Sequence, residues 1–196
     1  DLRRQTEEMA VITRISHEIT ALSDLQQIYQ SIARYAAELS HSDASGVFML
    51  HSDGRLYIEV GYRVQDEFIK TINAQGILPG YGAIGRATIG RCSIRIADIL
   101  NESEYSFRQL AEMEHIRGIL AVPMLRGEEV IGGIVLWHRQ PRHFTSQEVA
   151  FIQALAQECV NAVENARLLE AEARRRREAE TLQMATQALS STLDLQ

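Results

Sequence analysis

Cysteine is scarce in this 196-residue chain: Cys92 and Cys159 are the only two, far apart and in no metal-ligand spacing. No metal site is expected, and two lone thiols fit a reducing cytoplasm. Long apolar runs are absent too. Nothing approaches the 18 consecutive apolar residues of a membrane span, and the opening DLRRQTEEMA has no signal-peptide apolar core. Lys and Arg number 20 against 26 Asp and Glu, a net charge of −6. A nucleic-acid partner needs a basic surface and is not expected. Helix breakers are missing from both ends: every one of the 12 glycines and three prolines lies between Gly46 and Pro141. Breakers belong to turns, so a strand-and-turn core between helical flanks is predicted. Asp1 is not an initiator Met, so the chain reads as a piece of something longer.

In the N-terminal flank, Met9, Ile12, Ile15, Ile19 and Leu22 form one apolar stripe, a linker or coiled-coil helix over residues 1–23. Asp24 then caps a second helix, with Gln27 three residues on as a capping box. Its apolar face is Leu25, Ile28, Ile32, Tyr35, Ala36 and Leu39. In the middle, two β-rich runs flank Ser52-Asp53-Gly54, a hairpin signal. EFIKTIN reads as a short helix, SIRIADI as a strand and FRQLAEMEHI as an amphipathic helix. GILAVPML and VIGGIVLWHR bracket RGEE, which predicts a second hairpin covered on both faces.

The last flank opens with a capping box, Thr145 with Glu148, and with Phe144 and Val149 at the staple positions. Nothing breaks the helix before about Thr192, a length of roughly 70 Å at 1.5 Å per residue. Val149, Ile152, Leu155, Ala156, Cys159 and Val163 suit packing on the core. Beyond them the sequence is mostly charged. A heptad-like series (Leu155, Cys159, Ala162, Ala166, Leu169, Ala173) favours a helix partner. It meets Arg176, and an apolar stripe resumes off-phase at Leu182, Ala185 and Leu189, which predicts a coiled coil with a break in register. RRRR at 174–177 is flanked by glutamates and reads as a charged helix surface. The two ends also match each other, EITALSDLQ from Glu18 against ALSSTLDLQ from Ala188. The boundaries that follow are a core domain over 24–168, a linker helix over 169–193, and the start of another copy at 194–196.

PGYGAIGRA places Gly80, Gly82 and Gly85 at the G-x-G-x-x-G spacing of a dinucleotide loop. That loop needs a strand running into the first glycine, a full helix after the third, and an acid about 20 residues on. Here Pro79 ends any strand, Gly90 stops the helix within two turns, and Asp98 comes thirteen residues after Gly85. The dinucleotide reading fails on all three counts.

A whole-chain pattern does fit. GYGAIGRATIGRCSIRIADI, then RGILAVPMLRGEEVIGGIVLWH, then RHFTSQEVAFIQALAQECVNAVENARLLE resembles a GAF domain over about residues 25 to 170. The resemblance implies an α+β fold with a central antiparallel β-sheet of 5–6 strands. N- and C-terminal helices cover one face, and loops and short helices enclose a small-molecule pocket on the other. Pocket candidates from the glycine turn and the next strand are Tyr81, Gly82, Ile84, Gly85, Ile96 and Asp98. Those from the following helix and strands are Tyr105, Phe107, Leu110, Met113, Leu120, Trp137 and His138.

The glycine turn opens a helix whose N–H groups can hold an anion, as in GAF relatives that bind a cyclic nucleotide; the plainer reading is a turn that needs glycine. The cyclic-nucleotide signature is mostly absent, because Trp137, His138 and Arg139 stand where an Asn-Lys pair is expected and Glu148-Val149 replaces the acidic pair. VLWHRQPRHFTSQEV also resembles tetrapyrrole-holding GAF domains, yet residues 99 to 117 hold no cysteine for covalent attachment. A noncovalent tetrapyrrole or haem would have His115 and His138 to contact. Ser16-His17-Glu18 resembles a phosphoacceptor box without its proline, and a solvated helix position suits His17 better. No catalytic constellation is found, and no cofactor is assigned beyond an unknown small molecule.

The resemblance therefore implies a regulatory small-molecule-sensing module, not an enzyme. It would belong to a larger signalling protein in the cytoplasm, a sensor histidine kinase or a nucleotide cyclase, and form a homodimer through its N- and C-terminal helices. The alternative is a dimerising spacer whose pocket is filled by side chains. A redox enzyme of this family would need clustered cysteines.

Overall fold

The computed structural model describes Thr13, Glu18, Ile19 and residues 24–103 and 105–193. The stripe from Met9 to Leu22, Ile19 apart, lies outside the described residues, as do His17 and the segment 194–196. Ile19 is buried in the core.

Helix α1 (Leu25–Leu39) starts where the Asp24 carboxylate accepts the Gln26 N–H at 2.8 Å. The hairpin β1 (Ala44–Leu50) and β2 (Leu56–Tyr62) follows, turning through Gly54 at φ 77°. Next come α2 (Asp66–Asn73), α3 (Gly82–Gly90), the short β3 (Ile94–Ile96), a single 3-10 turn (Ile99–Asn101) and α4 (Arg108–Met113). The second hairpin pairs β4 (Gly118–Arg126) with β5 (Glu129–His138), and α5 (Ser146–Leu193) closes the chain with 48 residues. All five strands are antiparallel, in the order β2-β1-β5-β4-β3. The fold is α+β, as the sequence implied.

Side-chain alternation along the strands divides the interior into two cores, one per face. Val47 and Met49 of β1, Leu120, Val122 and Met124 of β4, and Ile134 and Leu136 of β5 face α1 and α5. Phe48, Ile119, Ala121, Val135 and Trp137 face the other way, toward α2, α3 and α4. Both faces being covered explains why β4 and β5 read as nearly unbroken apolar runs. Pro123 sits on β4 past the three residues that β3 pairs with, an edge position where its missing N–H is tolerated.

Two glycines in β5 bring other elements close. A Cβ on Gly133 would stand 2.3 Å from Ile84 Cδ1 and 2.8 Å from the Val122 carbonyl oxygen, so α3 rests on this strand because the position is glycine. Gly132 similarly admits the Phe48 carbonyl.

The predicted capping box holds α5 at its start. Glu148 accepts the Thr145 N–H at 2.8 Å, and the Thr145 hydroxyl accepts the Glu148 N–H at 3.2 Å. Phe144 and Val149 are buried beside it. Leu155, Cys159, Ala162 and Ala166 are all buried in the chain's own core, so this part of the heptad-like series seals α5 onto the sheet and α1. Burial stops at Ala166, and every side chain from Arg167 to Thr181 is exposed.

Candidate functional site: a closed aromatic cavity under α3

The second core encloses a cavity of about 30 Å³. Phe48, Ile119, Val135 and Trp137 form its floor on the sheet. Phe68 and Ile72 of α2 and Gly82, Ala83 and Ile84 of α3 form its walls. Tyr105 and Phe107, from the segment before α4, close it. Aromatic rings meet edge to face there, Trp137 with Phe68 at 5.4 Å and with Phe48 at 6.2 Å, and Tyr105 with Phe107 at 6.5 Å. A single water needs roughly 10–15 Å³ on this measure, and small-molecule sites run from about 300 Å³. Side chains of the protein itself therefore fill the site in this conformation.

The glycine turn shapes this closure. Gly82 has φ 60°, and a Cβ on it would stand 2.8 Å from the Phe107 ring. Gly80, at φ 91°, donates its N–H to the Gly85 carbonyl at 2.7 Å, and a Cβ on Gly85 would meet the Leu78 carbonyl at 2.5 Å. The glycines thus serve the turn and close packing. Tyr81, which precedes α3, makes no side-chain capping bond. Burial pushes the Tyr105 phenol pKa up, and the neighbouring Ala83 N–H opposes this to a lesser extent. Tyr105 thus lies beside the start of α3, where it closes the cavity.

Beside the cavity lies an open groove of about 520 Å³, bounded by Thr71, Gln75 and Gly76 at the end of α2 and by residues 105–110. Ile72, Tyr105 and Phe107 line both spaces.

Of the residues expected at the pocket, Gly82, Ile84, Tyr105, Phe107 and Trp137 line the cavity. Ile96 is buried on the same face without reaching it, and Leu110 lines the groove. Tyr81 and Met113 are 55% and 72% exposed, and Gly85 holds the turn. Asp98 caps the 3-10 turn through the Leu100 N–H and receives both Arg117 nitrogens, at 2.8 and 2.5 Å; this guanidinium lowers its pKa.

Two candidates lie elsewhere. Leu120 faces α1 and α5, because alternation in β4 gives the cavity side to Ile119. His138, one residue past Trp137, joins a separate buried cluster. Its Nε2 lies 3.0 Å from the Ser42 hydroxyl, which is 2.6 Å from that of Ser40, and the Phe144 ring is 5.4 Å away. Burial, helped by the Arg142 charge, lowers its pKa to about 4, so it stays neutral. His115 is exposed in a left-handed turn. Sequence reasoning missed nine lining residues: Phe48, Phe68, Ile72, Ile77, Ala83, Ala111, Ile116, Ile119 and Val135. Strand alternation in phase with Trp137 would have found Val135, and the β4–β5 register pairs Ile119 directly with Trp137.

Among the described residues, no three His, Cys, Asp or Glu side chains cluster as a metal site requires, and no helix is long and apolar enough to cross a membrane.

An antiparallel sheet with long helices on one face and a pocket capped by short helices on the other defines a small α+β module. The chain belongs to the GAF domain family, whose model matches residues 23–164. Among solved structures, the GAF domain of a phosphoenolpyruvate-protein phosphotransferase (ptsP) from Coxiella burnetii is similar at 23% identity. It matches 84% of this chain and 96% of its own, with a TM-score of 0.72. The GAF domain of the cyanobacteriochrome TePixJ is similar at 15% identity, 76% and 95% coverage and a TM-score of 0.66. Free methionine-R-sulfoxide reductase from Neisseria meningitidis, in complex with its substrate, is similar at 15% identity, 83% and 91% coverage and a TM-score of 0.70. These likenesses show the fold alone, shared by signalling proteins and by an enzyme. The comparison with curated proteins found no match.

Proposed function

We propose that this chain is a regulatory GAF module of a larger cytoplasmic signalling protein, a sensor histidine kinase or a nucleotide cyclase, and that it works as a homodimer. The observation that carries this reading is α5. One uninterrupted helix buries its first turns against the sheet and then runs at least 15 residues past the last buried side chain, Ala166. Such a helix couples packing inside the domain to whatever lies beyond it. The sensed molecule enters from the groove beside α2 once the segment 105–110 withdraws Tyr105 and Phe107 from the cavity. An oxygen-bearing small molecule then accepts from the N–H groups that open α3, and cyclic nucleotides and noncovalent tetrapyrroles are candidates to include. Chemistry of the reductase kind finds little support in the thiols: Cys92 is exposed, whereas Cys159 is buried in the helix-face core with its pKa raised.

The 30 Å³ cavity favours a second reading, a spacer whose pocket is permanently filled by its own rings. Native mass spectrometry of the purified chain, with thermal melts across a nucleotide and metabolite panel, separates the two. A bound molecule or a selective rise in melting temperature supports the sensor. A dimer that carries nothing and responds to nothing leaves the spacer.

A further inference from the structure

The space that Tyr105 and Phe107 fill, together with the groove outside it, offers no free charge among the described residues. The cavity lining contains no Asp, Glu, Lys, Arg or His, and burial keeps the Tyr105 phenol neutral. In the groove the one ionised side chain is Arg108, and it is already engaged. Its Nε donates to Glu112 at 3.1 Å and its Nη2 to the Leu100 carbonyl at 3.2 Å. Arg86, whose charge reaches the Tyr105 phenol, pairs with Glu102 at 3.4 Å. Arg63 and Arg139 border a different hollow, where Asp43 and Glu114 offset them.

What the groove does offer is amides. Gln75, just past α2, and Gln109, in α4, are exposed on its two sides. Neither side-chain amide has a partner among the described residues, and the Ser106 hydroxyl is likewise unengaged. Each amide supplies one carbonyl acceptor and two N–H donors. The two side chains that close the cavity are flat rings. Once they withdraw, Phe68 and Trp137, set edge to face at 5.4 Å, border the opened space. Such a pair receives another flat ring either offset-stacked or edge-on.

We propose that the sensed molecule is an uncharged planar ring compound with an amide-type edge, and that Gln75 and Gln109 read that edge while the ring replaces Tyr105 and Phe107. The inference rests on the sensing reading given above and names its ligand class. An ionised group brought into this space sheds its water and finds no free cation in exchange. A carboxamide or lactam exchanges its water for two matching amides, and its carbonyl oxygen suits the N–H groups that open α3. The acid groups of a cyclic nucleotide or a tetrapyrrole are disfavoured on the same ground. Nucleobase-like and nicotinamide-like rings without phosphate fit.

Matched probes that differ only in charge test this class. Nicotinamide with nicotinate, indole-3-acetamide with indole-3-acetate, and indole alone are titrated at neutral pH against the wild type and Phe107→Ala. In both proteins each amide is expected to bind at least about tenfold more tightly than its acid, because the charge loses water without gaining a partner. A double variant, Gln75→Ala with Gln109→Ala, changes only exposed positions, so folding is preserved. It is expected to weaken the amides roughly five- to tenfold and to leave indole, which has no such edge, unchanged. An acid that binds as tightly as its amide keeps the sensor and overturns the ligand class. Amide affinities that survive the double variant overturn the reading of the edge by the glutamines. If no probe binds either protein, the sensing reading falls and this inference falls with it.

Discussion

Replacing Phe107 by alanine tests whether the cavity is closed by a displaceable ring. Phe107 is half-buried, lies against Gly82, and belongs to the wall between the 30 Å³ cavity and the 520 Å³ groove. Truncating a fully buried Phe costs about 3–5 kcal/mol. With part of the ring already in solvent, the cost here is about 1–2 kcal/mol. For a chain of this size each kcal/mol moves the melting temperature by about 2–4 °C, so the variant should melt roughly 2–8 °C lower. The opened space is lined by Phe48, Phe68, Ile72 and Trp137, a surface suited to a small apolar ring. Benzene or indole at ten times its dissociation constant returns about 1.4 kcal/mol by mass action, most of what was lost. The assay is a thermal melt of both proteins with and without the aromatic compound. A wild-type protein that gains as much as the variant would mean the cavity is already open. A variant that melts at the wild-type temperature would mean Phe107 is not packed at all.

His138 should make the fold sensitive to acid. Its pKa is about 4 when folded against an ordinary value of 6.5, so the unfolded chain takes up the proton first as pH falls. Stability is then complete above about pH 6.5 and is lost between there and pH 4, by at most about 3 kcal/mol. Arg142 and burial oppose the imidazolium, while Asp43 and Glu148 partly favour it. Urea midpoints at pH 7 and pH 4.5 should differ less for His138→Gln than for the wild type, and an unchanged difference refutes the assignment. Gly133→Ala should cost about 1–3 kcal/mol by overpacking: the Ile84 tip can swing away from the new Cβ, but the Val122 carbonyl 2.8 Å away cannot. A denaturation curve that overlays the wild type would show that α3 does not need this contact.

The positions of glycine and proline made the division into helical flanks and a strand core legible, and the capping box at Thr145 gave the start of α5. The five strands followed from apolar alternation and turn signals. What the sequence hid was which face each residue serves. Leu120 is one residue from Ile119, and His138 one from Trp137; with period-2 alternation, one step exchanges the cavity for the opposite core. The same ambiguity holds along α5. Leu155, Cys159, Ala162 and Ala166 carry heptad-like spacing and are buried in the chain's own core, whereas every side chain from Arg167 to Thr181 is exposed. Only the position of the sheet and α1 separates the two stretches. The placing of Tyr105 beside the start of α3 had no local signal, since it stands 22 residues from Ala83.

The two cores are one strand apart, and that sets how a signal can cross. Val135 and Trp137 touch the cavity while Ile134 and Leu136, their direct neighbours in β5, pack toward α1 and α5. Immediately before them, Gly133 carries the weight of Ile84 and hence of α3. Under the proposed sensing role, a molecule that displaces Tyr105 and Phe107 changes the packing beside α3, and α3 cannot shift without changing its contact on β5. Backbone movement there is felt on the opposite face by Ile152, Leu155 and Cys159, the residues that fix α5. Close packing lets such a shift be passed on instead of absorbed. A ligand biases α5 only to the extent that it binds the opened cavity more tightly than the closed one. If the chain works as the proposed sensor, the energy that holds Tyr105 and Phe107 in place sets its threshold, and Phe107→Ala, by lowering it, should shift α5 toward the liganded arrangement with no ligand present.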